Sequence, residues 1–338
     1  MSIKKKLISL IGAMVVLIVI GTLVVNISNK NKVNDKQQSQ GKVQIVTTFY
    51  PMYIISLNLL DQMDQVEVTN LTDFSAGCVH DYQLTTDNMK LLSKADILVA
   101  NGGGMEHFLE EIIKSYSHLQ VIDSSQGISM LIYDEHEHSS EDGHDHHGEY
   151  NSHIWLDPMN YIKQIENVKE GLIQSIKDMD PNRAEHLNMD LMIDRIEQNA
   201  MDYIQKVYQL DNELEEFLQI LNNDQSGNNR TGGVAIFHDT FAYLAKRMGL
   251  NIVYSVEIDS ESALSAFDVA QIIDLIKEGE IQYLFADIQY GDTIANRIEN
   301  ETKVKVSMMN SIATGDGLKD SYLNGMKENI QVLKEAIQ

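Results

Sequence analysis

The chain reads as an α/β protein of two similar lobes, each a parallel sheet flanked by helices, with one long helix joining them. Three observations predict this. Short β-branched, apolar runs alternate with amphipathic stretches through most of the sequence, the pattern of strands connected by crossover helices. The alternation occurs twice, on either side of about 40 residues beyond Pro181 that keep helical periodicity without Gly or Pro. A length of 338 residues, 43% of them apolar, suffices for two cores of ordinary size.

Lys4, Lys5 and Lys6 precede an apolar run from Leu7 to Val25. As a helix this run is about 28 Å long, close to the roughly 30 Å of a bilayer core. The basic flank predicts that the N-terminus stays in the cytoplasm and that the remainder is exported. Residues 1–25 are therefore expected to form a membrane anchor; a cleaved secretory signal is the alternative, although its apolar region usually spans only about 7 to 15 residues. No cysteine closely follows the run, which argues against a lipid-modified N-terminus. Residues 26–41 are polar and aperiodic and read as a flexible linker.

The first lobe is expected over 42–180. Strands are predicted at Val43–Phe49, Val66–Thr69, Ala95–Ala100 and Gln120–Asp123, with helices at Met52–Leu60, Leu84–Leu92 and Glu106–Tyr116, and another from Pro158 to Lys177. Asp180-Pro181 marks a fresh helix start, and the connecting helix is expected over 181–221. Its apolar residues are too irregularly spaced for a heptad repeat, and a monomer is expected. Asn222–Gly233 is a loop by composition. The second lobe, 222–338, repeats the rhythm with strands at Val234–Phe237, Ile252–Ser255, Tyr283–Ala286 and Lys305–Met308 and helices at Thr240–Met248, Ala266–Lys277, Thr293–Glu301 and Asp320–Ala336. The two lobes share no sequence repeat that can be aligned.

A net charge of −24 argues against nucleic acid, which requires a basic footprint. An acidic surface draws cations towards it, and it also keeps an exported protein soluble. The single cysteine, Cys78, forms no intramolecular disulfide, so the fold rests on its cores.

Five of the eleven histidines, His136, His138, His144, His146 and His147, lie within twelve residues of one acidic tract. Imidazole is the commonest protein ligand for zinc and its neighbours. Such a tract suits many weak, low-affinity captures that raise the local ion concentration, and it also suits a solvated acidic loop. Three quieter histidines stand in loops expected to face one cleft: His80 beyond the second strand, His153 after the tract, and His238 directly after the strand Val234–Phe237. Ligands of open α/β sheets bind beyond the carboxyl ends of strands. Asp81, Asp157 and Asp239 stand near these histidines, where a carboxylate can accept the second imidazole N–H. Cys78 reads as a small buried residue beneath the loop, since free cysteine is usually inert; an extra thiolate ligand or redox switch is the other reading.

Five segments together carry a resemblance. They are Gly77-Cys-Val-His80-Asp-Tyr82, Lys94–Glu106 with its Asn101-Gly-Gly-Gly, His153-Ile-Trp-Leu-Asp157-Pro158, Phe237-His238-Asp-Thr-Phe-Ala-Tyr243 and Thr314-Gly-Asp316. Over about residues 43 to 336 the chain resembles the metal-binding solute receptors of zinc and manganese ABC importers. The resemblance implies two α/β lobes joined by one rigid helix, with the ion in the interlobe cleft, and an acidic His-rich loop typical of zinc members. It implies that His80, His153 and His238 are metal ligands, and that an ABC permease with its ATPase subunit is the partner. Relatives often supply an aspartate as fourth ligand; here the matching position is Asn310, a neutral and poorer donor, so that Asn310, Asp287 or water takes that place. Three imidazoles with few oxygens suit Zn²⁺, with Mn²⁺ as the alternative, and the ligand types do not exclude copper or nickel.

The competing class is a zinc-dependent hydrolase, in which three histidines and an open fourth position activate water. No HExxH or nucleophile signature accompanies the histidines. Adhesion through an exposed face is a further role compatible with transport.

Overall fold

A computed structural model of the chain describes residues 41–79, 82–132, 150–180, 187–223, 233–256, 266–289 and 292–337. The chain divides into two units, Met1–Val43 and Gln44–Gln338. Of the first unit only residues 41–43 are described, so the anchor expected over 1–25 and nearly all of the linker lie outside the described residues. Among the described residues no helix is long and apolar enough to cross a membrane.

The described residues include two four-stranded sheets, as the strand-helix alternation predicts. In the first, β1 (Val43–Thr47), β2 (Val66–Asn70), β3 (Ile97–Ala100) and β4 (Gln120–Asp123) lie in the order β2-β1-β3-β4. β3 pairs parallel with both β1 and β4, in registers that place Ile45 beside Ile97 and Ile97 beside Gln120. In the second, β7 (Gly233–Phe237), β8 (Asn251–Val256), β9 (Ile281–Asp287) and β10 (Val306–Met309) are ordered β8-β7-β9-β10 and all neighbouring pairs are parallel. The two sheets therefore share one strand order although their sequences do not align. In each, the order reverses beside the first strand, where open α/β sheets bind ligands.

β3 and β7 are buried along their whole length, consistent with central strands covered on both faces. Val46, Leu92, Leu98 and Leu109 form part of the first core, and Phe237, Ile272, Leu284 and Ile298 part of the second. Each such side chain contributes about 1.5–3 kcal/mol on burial.

Helix α1 (Tyr50–Leu59) starts with Pro51 in its first turn. α2 (Thr86–Leu92) carries a capping box: the Thr85 hydroxyl accepts from the Asn88 N–H, and the Asn88 side chain accepts from the Thr85 N–H. The helix predicted over Glu106–Tyr116 is broken into a 3₁₀ turn, His107–Leu109, and the short α3, Glu110–Ile113. Glu106 explains the break. Its carboxylate turns inward and accepts from Thr48 Oγ1 at 2.6 Å, from the Asn101 N–H at 2.7 Å and from the Gly102 N–H at 3.0 Å. Gly102 has φ +79 and lies against Asp123, so a side chain there meets both strain and a clash.

β5 (Leu131–Ile132) and β6 (Tyr150–Asn151) pair antiparallel across the His-rich tract, a ladder too short to be predicted from sequence; 133–149 lie outside the described residues. Helix α4 (Pro158–Lys177) follows, N-capped by Asp157. The long helix α5 runs from Met189 to Asn223, 35 residues, or about 50 Å. It begins later than Pro181: 181–186 are not described, and Asn188 caps the helix by accepting from the Leu191 N–H. Met192, Ile196, Ala200, Tyr203, Val207 and Leu210 form its buried stripe at spacings of three and four. α5 packs along α1 and α4 of the first lobe and along α9 (Ser321–Ile337), the last helix of the second. Arg247 at the end of α6 (Ala242–Arg247) ties the second lobe to it through Asp211 at 2.7 Å and Glu215 at 2.6 Å. α7 (Ala266–Glu278) and α8 (Asp292–Thr302) complete the second lobe.

Leu214→Ala in the buried stripe of α5 is expected to cost about 2–5 kcal/mol, whereas Ile220→Ala, 62% exposed on the same helix, stays within about 0.5 kcal/mol. Urea denaturation of both variants checks the assignment of the two faces.

Candidate metal centre

The site is assembled from three stretches of chain. Cys78 lies in the loop beyond β2, His153 begins the 3₁₀ turn Ile154–Leu156 after β6, and His238 directly follows β7. His153 and Cys78 belong to the first lobe and His238 to the second. The ligand atoms of Cys78, His153 and His238 all lie within 4.8 Å of one another. The two rings stand edge to face, centroids 4.9 Å apart.

His153 is completely buried and packs beside Trp155. Its Nδ1 lies 3.1 Å from Asn151 Oδ1 and 3.3 Å from Asp239 Oδ1, both acceptors, which places the ring proton on Nδ1. Cys78 Sγ sits 3.2 Å from the other ring nitrogen, Nε2. His238 Nδ1 lies 3.1 Å from the same Asp239 Oδ1, and 3.1 Å from the Thr240 N–H. A proton on Nδ1 is donated to Asp239; without it, Nδ1 accepts from Thr240. His238 has φ +99, a strained backbone for a residue other than glycine, and it stands at the carboxyl end of β7, where the strand order reverses.

One carboxylate therefore serves both imidazoles. Burial opposes the charge on Asp239, but His153 foremost and His238 outweigh it and hold the carboxyl well below its ordinary range. Burial likewise opposes protonation of His153, yet Asp239 and Cys78 raise it to about 9. His238 is raised in the same direction, chiefly by Cys78 and Asp239 against burial. Burial resists ionisation of the Cys78 thiol, and the two imidazoles bring it down to about 7.

Of the described carboxylates near these histidines, Asp157 and Asp239, the latter contacts the imidazoles. Asp157 instead accepts from the Met159 and Asn160 N–H groups as the cap of α4. His80 and Asp81 lie outside the described residues, as do His136, His138, His144, His146 and His147. Asp287 ends β9 beside His238 and accepts from the Gln289 N–H at 2.9 Å; burial foremost raises its carboxyl, and it is not one of the clustered donors. Asn310 Oδ1 accepts from the Ile312 N–H at 2.8 Å, while Asn329 holds the Asn310 backbone through both its amide atoms.

Cys78 is half-buried, and its sulfur stands beside the imidazoles. Its spacing two residues before His80 was the available signal, but on a loop that spacing leaves the direction of the side chain open.

The fold and its centre define a two-lobed α/β protein with a histidine and cysteine cluster where the lobes meet. The chain belongs to the family of zinc-uptake complex component A, periplasmic (ZnuA), whose family model matches residues 45–336. It is 25% identical over 314 residues to the zinc-binding lipoprotein AdcA of Streptococcus pneumoniae, covering 89% of this chain and 57% of AdcA. The chain thus spans little more than half the length of that relative. It is 27% identical over 294 residues to the iron-binding protein YfeA of Yersinia pestis, covering 86% of this chain and 85% of YfeA. Among solved structures, FpvC of Pseudomonas aeruginosa in complex with Mn²⁺ shares the fold, with a TM-score of 0.67 at 24% identity, covering 88% of this chain and 98% of FpvC.

Replacing Asp239 with Asn removes the charge that offsets burial of His153. The His153 pKa is then expected to fall from about 9 to near or below the ordinary value of about 6.5, read by NMR titration of the imidazole in the metal-free protein.

Proposed function

We propose that this protein is an extracytoplasmic receptor that captures Zn²⁺ in the interlobe cleft and delivers it to an ABC permease and its ATPase, with Mn²⁺ as the less favoured cargo. The observation that carries this reading is the pair His153 and His238, brought together from opposite lobes over the single carboxylate of Asp239. Metal-bound imidazoles give their second N–H to such an acceptor, which fixes the ring and raises its basicity. His80, His153 and His238 are assigned as ligands. Asn310 and Asp287 remain the protein candidates for a fourth, with Asn310 the poorer because its amide oxygen already accepts from the Ile312 N–H. Family membership supports transport rather than the hydrolase alternative, and the names of AdcA and YfeA support a metal cargo without choosing among metals. Nitrogen-rich donors favour zinc, whereas manganese is better served by oxygen.

Residues 1–25 tether the receptor to the membrane, or are cleaved to release it, and the acidic tract with His136, His138, His144, His146 and His147 collects ions for the main site. An ion bound by both lobes bridges them, so the metal-free form is the looser one.

Binding needs neutral imidazoles. In the metal-free chain His153 holds a proton below about pH 9 and His238 is shifted the same way, so an entering cation displaces protons and affinity falls as the pH falls. Zinc titration by competition with a chelator is expected to show a loss of roughly tenfold per pH unit for each proton displaced between about pH 8 and 6. An affinity that stays constant down to about pH 5 removes the imidazole site from consideration.

His238→Ala abolishes tight zinc binding, whereas deletion of residues 134–149 leaves the affinity of the main site intact and slows loading only at scarce metal. Equilibrium and stopped-flow titrations distinguish the two; loss of all tight binding in the deletion reverses the roles given to cleft and tract.

A further inference from the structure

Cys78, His153 and His238 present one sulfur and two nitrogens to a common point, all within 4.8 Å of one another. Around a tetrahedral zinc with bonds of about 2.0–2.1 Å to nitrogen and 2.3 Å to sulfur, donors stand roughly 3.3–3.6 Å apart. The observed separations thus need only small movements to close on an ion. Cys78 Sγ is already 3.2 Å from His153 Nε2, on the side of the ring away from the Nδ1 that Asn151 and Asp239 engage.

We infer that Cys78 is itself a metal ligand, adding a thiolate to the His153 and His238 imidazoles and biasing the cleft towards zinc over manganese. The inference rests on the metal-receptor reading above and goes beyond its all-histidine ligand set. The entering cation takes the place of the thiol proton: a sulfur–metal bond forms as the S–H bond breaks, and the proton leaves to solvent, with no change of oxidation state. Thiolate is a soft donor that zinc accepts readily and manganese, which favours oxygen, accepts poorly. Cys78 is half-buried and His153 fully buried.

The test uses the full chain, stripped of metal and titrated with Co²⁺ as a spectroscopic substitute for zinc. A thiolate ligand produces a near-ultraviolet sulfur-to-cobalt charge-transfer band that imidazole and carboxylate do not. The unsubstituted chain is expected to show this band, a readout that needs no variant. Cys78→Ser and Cys78→Ala are expected to lose it, to bind zinc about tenfold or more weakly, and to change manganese affinity by less than about threefold. Thermal melting of both variants without metal verifies the fold. Cobalt bound with its visible bands but without the charge-transfer band overturns the role of Cys78 and leaves the receptor reading standing. Failure of the unsubstituted chain to bind either cobalt or zinc overturns both.

Discussion

The Asp239 carboxylate, placed beneath two imidazoles from different lobes, is the constraint around which the centre is organised. A buried carboxylate costs several kcal/mol unless charge and hydrogen bonds compensate it. His153 and His238 supply that compensation, and in return they are held with Nδ1 towards the carboxylate and Nε2 away from it. Both rings therefore present the same kind of donor atom to the same region. The strained backbone of His238 is tolerated there because β7 is buried on all sides and Asp239 anchors the ring.

Asn151 joins the two lobes at this point. Its amide nitrogen donates to the Asp239 carbonyl at 2.9 Å, its Oδ1 accepts from the His153 N–H at 2.9 Å, and its own carbonyl accepts from Tyr243 Oη at 2.7 Å. Further from the centre, Trp155 Nε1 donates to the Ser311 carbonyl and Tyr322 Oη donates to the Trp155 carbonyl, each at 2.8 Å. Tyr322 in turn stacks on Tyr161 of α4, ring centroids 3.5 Å apart. Together with the packing of α5, these contacts carry the 3₁₀ turn that follows His153 on a rigid frame. Side chains that face a ligand need such support, because a displacement of about 1 Å is enough to weaken a metal site.

Most of the architecture was legible in the chain. Gln120–Asp123 occupies the predicted strand without change, and the other predicted strands recur with ends shifted by one or two residues, because alternating β-branched runs bounded by polar turns admit few other structures. Where reading failed, a long-range contact was responsible. Glu106 left its helical role to satisfy Thr48 and the loop after β3, and Leu131–Ile132 became a strand only because Tyr150–Asn151 returned to it across the histidine tract. The shared strand order of the two lobes was likewise invisible to alignment, since it is set by which strands pair and not by which residues they contain.

Local pattern and residue chemistry by themselves determined the α/β class, the two successive lobes, the long helix between them and the presence of ligand-type histidines at loop positions. Periodicity, capping and composition act between neighbours in sequence, so these features are written locally. Only the tertiary structure decided that Asp239 rather than Asp157 orients the rings, that the Asn310 amide serves its own turn, and that Cys78 joins His153 and His238. Each of these depends on the direction of a side chain leaving a loop, and that direction is set by packing between residues far apart in sequence, 160 positions from Cys78 to His238.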